Sequence, residues 1–167
     1  MFRKYFFSVI AVMAALTAGA DTVNLRNLFV EMPDTVIPYL SRNNRLDFVD
    51  FMDSNMKAEV TNALGGKSVM TALADDSISI SLSEATKVDL LLLTVAEPVD
   101  STKQVICLIQ TVGPRDGYQE SVVTYYSLKW QPLNSEPRLS ATEQKRISGL
   151  TKTSSILKMY SKKLNKL

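Results

Sequence analysis

The chain has 167 residues, 46% of them hydrophobic and 22% charged, with a formal net charge of +2. That is the length and composition of one ordinary globular domain, which excludes a disordered chain and a nucleic-acid binder working by bulk charge. Histidine is absent and cysteine occurs once, which excludes a Ser-His-Asp triad, a Cys-His pair, His-bearing zinc sites and an intramolecular disulfide.

Residues 1–20 read as a signal peptide. Arg3 and Lys4 precede an apolar run from Tyr5 to Leu16, and Ala18-Gly19-Ala20 offers small residues for cleavage after Ala20. The run is short for a membrane span. No Cys stands at the cleavage point, so the expectation is a periplasmic or secreted protein that is not a lipoprotein. The charge is also segregated. Residues 21–137 hold 9 basic and 16 acidic side chains, whereas residues 138–167 hold 8 basic side chains and only Glu143 on the acidic side. The organisation expected is a single α+β domain over 21–137 and a basic tail over 138–167, folded onto the acidic body or facing an anionic surface.

In chain order, Leu25, Leu28, Phe29 and Met32 recur at helical spacing, and Pro33-Asp34-Thr35 reads as a new helix start. Ser41-Arg42-Asn43-Asn44 is a turn in which either Asn can cap the helix that follows. Leu46, Val49, Met52, Met56, Val60 and Leu64 then share an arc of roughly 120°, predicting a helix over 45–63 that ends at Gly65-Gly66. Within it, Asp53 and Lys57 stand at the spacing of an ion pair. The period next falls to two. Val69–Leu73, Ile78–Leu82, Val88–Val95, Val105–Val112 and Ser121–Trp130 predict an antiparallel meander of about five strands joined by short turns. Val88–Val95 and Val105–Val112 are apolar on both faces, so a second layer must cover what the helices do not: the C-terminal segment, a second protomer or a ligand. Ser140-Ala141-Thr142-Glu143 fits a capping box opening a short helix that Gly149 closes. Ile156–Leu167 reads as a basic amphipathic helix with Lys158, Lys162 and Lys166 on its polar side.

No catalytic, metal or cofactor set emerges. Asp47, Asp50 and Asp53 precess around their helix instead of converging. Asp75-Asp76 is a hairpin turn, and Gly65-Gly66-Lys67-Ser68 lies between a helix and a strand in the order opposite to that of a phosphate loop. Cys107, inside VICLIQ, reads as a buried thiol. Two places are left for a binding surface. One is Asp34 with Arg42 and Arg45; the other is the loop Gly113–Gln119, which displays Arg115, Asp116 and Tyr118.

The runs MPDTVIPYLSRNNRLDFVDFM, LGGKS, VICLIQT and TYYSLKW resemble those of the uncharacterised secreted proteins of Bacteroidales grouped as one domain of unknown function, over about residues 28–133. The resemblance implies a periplasmic or surface location and carries over no activity or catalytic residue. The expected function is a non-catalytic envelope module that binds a protein, peptide or glycan and no nucleic acid. Anionic membrane contact through Lys158, Lys162 and Lys166 and a homodimer are both compatible with this pattern. A histidine-free hydrolase or lyase using Asp, Tyr and Arg groups, and a carrier of an apolar ligand, are the alternatives.

Overall fold

The computed structural model describes residues 23–152. The expected signal peptide and the tail lysines Lys158, Lys162 and Lys166 lie outside them, as does the amphipathic helix expected over 156–167. The described chain forms helices α1 (Leu25–Val30), α2 (Arg42–Asp53) and α3 (Ala141–Leu150) and strands β1 (Glu59–Thr61), β2 (Lys67–Leu73), β3 (Ser77–Ser81), β4 (Thr86–Val99), β5 (Thr102–Val112) and β6 (Glu120–Tyr126). All six strands join one antiparallel sheet in sequence order, β1-β2-β3-β4-β5-β6. The class is α+β, with six strands where the sequence pattern suggests about five.

The extra strand comes out of the predicted helix over 45–63. That helix stops at Asp53, is capped by Ser54, and is followed by Asn55 in the left-handed region at φ 53°. Val60 is buried in β1, whereas Met56 is 57% and Leu64 76% exposed. A four-residue spacing is also an even spacing, so Met56, Val60 and Leu64 fitted a helix and a strand alike. Gly65, at φ 77°, forms the β1–β2 hairpin and not a helix C-cap. Asn62 closes that hairpin: its Oδ1 accepts from the backbone N–H groups of Leu64 and Gly66, and its Nδ2 donates to Ser68 Oγ and the Leu82 carbonyl.

Other local expectations also shift. Pro33–Leu40 forms successive turns in place of a helix. Ser41, not Asn43 or Asn44, caps α2, with the Asn44 side chain completing a reciprocal capping box. Asp53 pairs with Arg26 at 2.5 Å, and Lys57 turns to Glu59. The β4–β5 turn is Asp100-Ser101 with φ of 49° and 65°, the left-handed pair that matches the twist of a two-residue hairpin. β6 ends at Tyr126, and the chain reverses at Trp130 (φ 60°), whose indole donates to the Leu28 carbonyl at 3.0 Å. The capping box of α3 forms as expected, Ser140 Oγ accepting from the Glu143 N–H, but the helix runs through Gly149 to Leu150.

Both faces of the sheet are apolar at its centre. On one, Val88, Leu90 and Leu92 of β4 and Ile106 and Leu108 of β5 join Ile78, Ile80, Met70 and Val60 under Leu25, Phe29, Ile37, Leu40, Phe48 and Trp130. On the other, Leu91, Leu93, Val95, Val105, Cys107, Ile109 and Tyr125 pack under Leu139, with Leu133, Ile147 and Leu150 alongside. Of the covers left open by the sequence, residues 133–150 are the one present. They are held by a Val95–Leu139 bridge, by Ala96 N–H donating to the Arg138 carbonyl, and by Ser121 N–H donating to the Lys152 carbonyl.

The helical layer depends on Arg45, which is 1% exposed. Its guanidinium donates to the carbonyls of Val30, Met32 and Leu40 and pairs with Asp34 at 2.8 Å. One side chain thereby satisfies the end of α1 and both ends of the 31–40 turns, none of which has a ladder of its own. Arg45→Leu should destabilise the protein by about 3 kcal/mol or more, because the carbonyls lose their donor in the core. Asp34→Asn should cost no more than about 1 kcal/mol, since Asp34 is largely exposed. Denaturant unfolding of the two variants would check this, and equal losses would contradict it.

Cys107 is fully buried, and burial pushes its thiol up to about 12, with the Glu136 carboxylate adding to the rise. Iodoacetamide should therefore leave it unmodified at pH 8 in the native protein and alkylate it in guanidinium chloride. Mass spectrometry reads the difference, and rapid native labelling would show that residues 133–150 do not seal this face.

Candidate functional site

The second face of the sheet changes character along its strands. Antiparallel register places Ser77, Leu91, Cys107 and Tyr125 in one cross-strand row, and Ser79, Asp89, Ile109 and Val123 in the next. A third row holds Val69, Ser81, Lys87, Thr111 and Ser121. The rows run from mostly apolar to mostly polar within two residues' rise per step. Residues 133–150 cover the apolar end, where burial is favourable. Ser81, Lys87 and Thr111 of the polar row line a cleft that Leu150 borders.

Two adjoining depressions make up this cleft, of about 320 and about 620 Å³, and share Ser81, Ser83, Glu84, Ala85 and Arg115 in their walls. The β3–β4 turn supplies Ser83, Glu84 and Ala85; the β5–β6 loop supplies Arg115; Lys152 closes the far side after α3. The loop is placed by Gly113, whose N–H donates to the Ala85 carbonyl. At φ 129°, a Cβ on Gly113 would lie 2.0 Å from the Tyr118 carbonyl oxygen, so only glycine allows this approach.

The charges are unevenly matched. Lys67 is paired with Glu59, whose carboxyl is held below its ordinary value by hydrogen bonds from Lys57 and then Lys67. Lys87 is paired with Asp89 at 2.9 Å. Arg115 donates to Ser81 Oγ at 3.3 Å, and neither it nor Lys152 pairs with a carboxylate among the described residues. Glu84 is the cleft's one acidic wall residue besides these pairs. The arrangement presents hydroxyls from Thr71, Ser81 and Ser83 beside two cations that have no ion-pair partner among the described residues, with the Glu84 carboxylate in the same wall.

The residues singled out in the sequence divide between two regions. Asp34 and Arg45 meet, but the guanidinium is already engaged by carbonyls, and Arg42 pairs with Glu31 at 2.7 Å on the surface. Asp47, Asp50 and Asp53 are exposed along α2 and do not converge. Arg115 lies in the cleft. Asp116 and Tyr118 are exposed on the same loop, with the Tyr118 hydroxyl donating to Glu120 Oε2 at 3.2 Å. Sequence reasoning missed Lys87, Asp89 and Lys152. The signal available for the first two was the charged residues of KVDLLLL, but which neighbours each meets depends on register, and Lys152 lies outside the sheet altogether. Among the described residues, no group of three or more His, Cys, Asp or Glu is placed to hold a metal.

Comparison with known proteins adds family and fold. Residues 17–164 match the family described as protein of unknown function (DUF3256). A solved domain of an uncharacterized protein from Porphyromonas gingivalis W83 superimposes with a TM-score of 0.53 at 24% sequence identity. The match covers 66% of this chain and 54% of that one. It shows a shared fold, and the chain spans about half of that relative's length. No curated protein matches.

Proposed function

The chain belongs to the family of proteins of unknown function DUF3256, and we propose that it is an exported, non-catalytic binding module whose cleft receives a carboxylate-bearing envelope glycan or peptide. The observation that carries this reading is the pairing of Arg115 and Lys152 across a hydroxyl-lined cleft with no carboxylate of their own. A guanidinium and an ammonium held over such a floor attract carboxylates, and the ion pairs of Lys67 and Lys87 keep the remaining field from being wholly cationic. The apolar-carrier alternative loses its main support, because the second apolar face is occupied by Leu133, Leu139 and Ile147.

The mature chain, residues 21–167, should bind immobilised polygalacturonate or poly-glutamate in a salt-sensitive manner. An Arg115→Ala/Lys152→Ala double variant should bind about tenfold or more weakly, since each charge-assisted hydrogen bond contributes about 1.5–3 kcal/mol. Both side chains are exposed, so its thermal midpoint should match the parent's. Biolayer interferometry decides: a native protein that ignores both polymers, or a double variant that binds equally well, rejects the reading.

Export and tail docking belong to the same proposal. The basic character of residues 138–167 and the expected leader support it. Protein recovered from the periplasmic or secreted fraction of its host should begin at Asp21. Replacing Lys158, Lys162 and Lys166 together by Glu should reduce its sedimentation with anionic vesicles. An intact leader, or unchanged sedimentation, would remove the corresponding part.

A further inference from the structure

Beside the cationic cleft, on the other side of Leu150, lies a smaller cavity of about 250 Å³ between the β3–β4 rows and α3. Its walls include Ser77, Ser79, Asp89, Leu91, Arg146 and Leu150. Asp89 is 1% exposed. One carboxylate oxygen, Oδ1, accepts from Ser79 Oγ and faces the Lys87 ammonium at 2.9 Å. The other, Oδ2, is buried and has no hydrogen-bond partner; among the described residues it is the only buried side-chain polar atom in that condition. An acceptor without a donor is costly in a protein interior, and this one belongs to a side chain on the cavity wall.

We propose that this cavity is a subsite for a neutral polyhydroxylated ring, a sugar residue, with Asp89 Oδ2 as the acceptor of one of its hydroxyls. Three features select that chemistry. First, Lys87 already supplies an ammonium to Asp89, and Arg146 shares the wall, so a second ammonium would enter beside two cations. A hydroxyl donates without adding charge. Second, Arg146 is itself balanced by Asp76 at 2.8 Å and Glu143 at 2.9 Å, which leaves the cavity without the excess positive charge of its neighbour. Third, Leu91 and Leu150 offer an apolar surface to the C–H face of a ring, while the Ser77 hydroxyl can donate or accept and the Ser79 hydroxyl, its proton given to Asp89, can accept. The volume equals roughly eight waters, room for one six-membered ring with its substituents. This subsite shares Leu150 with the anion cleft and is joined to it by the Lys87–Asp89 ion pair, but neither Arg115 nor Lys152 lines it, and it stands whether or not that cleft binds carboxylates.

Saturation-transfer NMR on residues 21–167 with methyl α-glucoside and methyl α-galactoside, and with n-butylamine as the cationic comparison, tests the assignment. The expected result is millimolar binding of at least one glycoside in preference to the amine. Asp89→Asn, which replaces the charged acceptor by a neutral amide, should weaken it at least tenfold. Leu150→Trp, which fills the cavity from a half-exposed position, should abolish it. The Arg115→Ala/Lys152→Ala variant should bind the glycoside as the parent does, so failure of the anion cleft and failure of this subsite are distinguishable. Thermal unfolding confirms that each variant folds, and Leu150→Trp decides should Asp89→Asn not fold. No transfer to either glycoside would overturn the proposal. Preference for butylamine, or glycoside binding unaffected by Leu150→Trp or by a folded Asp89→Asn, would overturn it equally.

Discussion

Burial of β4 and β5 on both faces is the constraint from which the rest of the architecture follows. Leu90 and Leu92 point to one layer, Leu91 and Leu93 to the other, and a strand with that pattern cannot rest at a solvent surface. An antiparallel sheet fed by short hairpins has no crossover helices to cover the second side. The chain resolves this by returning after β6 and laying residues 133–150 across it. That return is stabilised more by backbone and charge contacts than by the helix itself. No residue of α3 is fully buried, whereas Arg146 reaches Asp76, Glu143 and the Leu92 carbonyl together. The segregation of charge between body and tail therefore has a local counterpart, because a basic residue from beyond 138 is paired with an acid of the β2–β3 turn.

The first layer rests on a different device. Between α1 and α2 the chain turns repeatedly over Pro33–Leu40, with Met32, Ile37 and Leu40 buried and their backbone without a ladder. A buried Arg is expensive unless every donor is used. Here Arg45 uses its donors on three carbonyls and Asp34, so the same side chain that would be a liability organises the turns. This gives a physical meaning to the run MPDTVIPYLSRNNRLD. Arg45 is the side chain that knot requires, while Met32 and Leu40 lend it backbone carbonyls and Asp34 an exposed carboxylate, and binding need not be invoked for Arg45.

How much of this was legible in the sequence depended on whether local pattern or register decides. Strands β2 to β5, the α1 periodicity, the Ser140 cap and the double-sided burial of β4 and β5 could be read because each is a property of a contiguous run. β1 could not, since Met56, Val60 and Leu64 satisfy both periods and only the break at Asn55 separates them. The Arg45 knot was partly visible as an unusual cluster, but a surface Arg and a buried one look alike in a string of letters. Of the cleft, Arg115 was found because it sits on a glycine-rich loop. Lys87 and Asp89 were not, because the alternation of charged and apolar residues in KVDL names no neighbours. Ser79 opposite Asp89 and Ser81 opposite Lys87 are facts of pairing, and a slip of one residue would have sent both charges into the first core.

The gradient along the second face orders what residues 133–150 bury. An apolar row is better buried than exposed, and Leu133, Leu139, Ile147 and Leu150 pack on it. Asp89 stands at the edge of that packing. It lies in the middle row, too deep for bulk water and too polar for the cover, and its Oδ1 is satisfied by Ser79 and Lys87 while Oδ2 is not. A protein selected for stability alone would place an apolar residue here or supply a second donor, since either is cheaper than a lone buried acceptor. Nor does the packing demand a carboxylate, because Ile109 occupies the opposing position in the same row without one. The second face of the sheet therefore passes from the apolar row packed under residues 133–150 to the polar row of Ser81 and Lys87 through the row that holds Asp89.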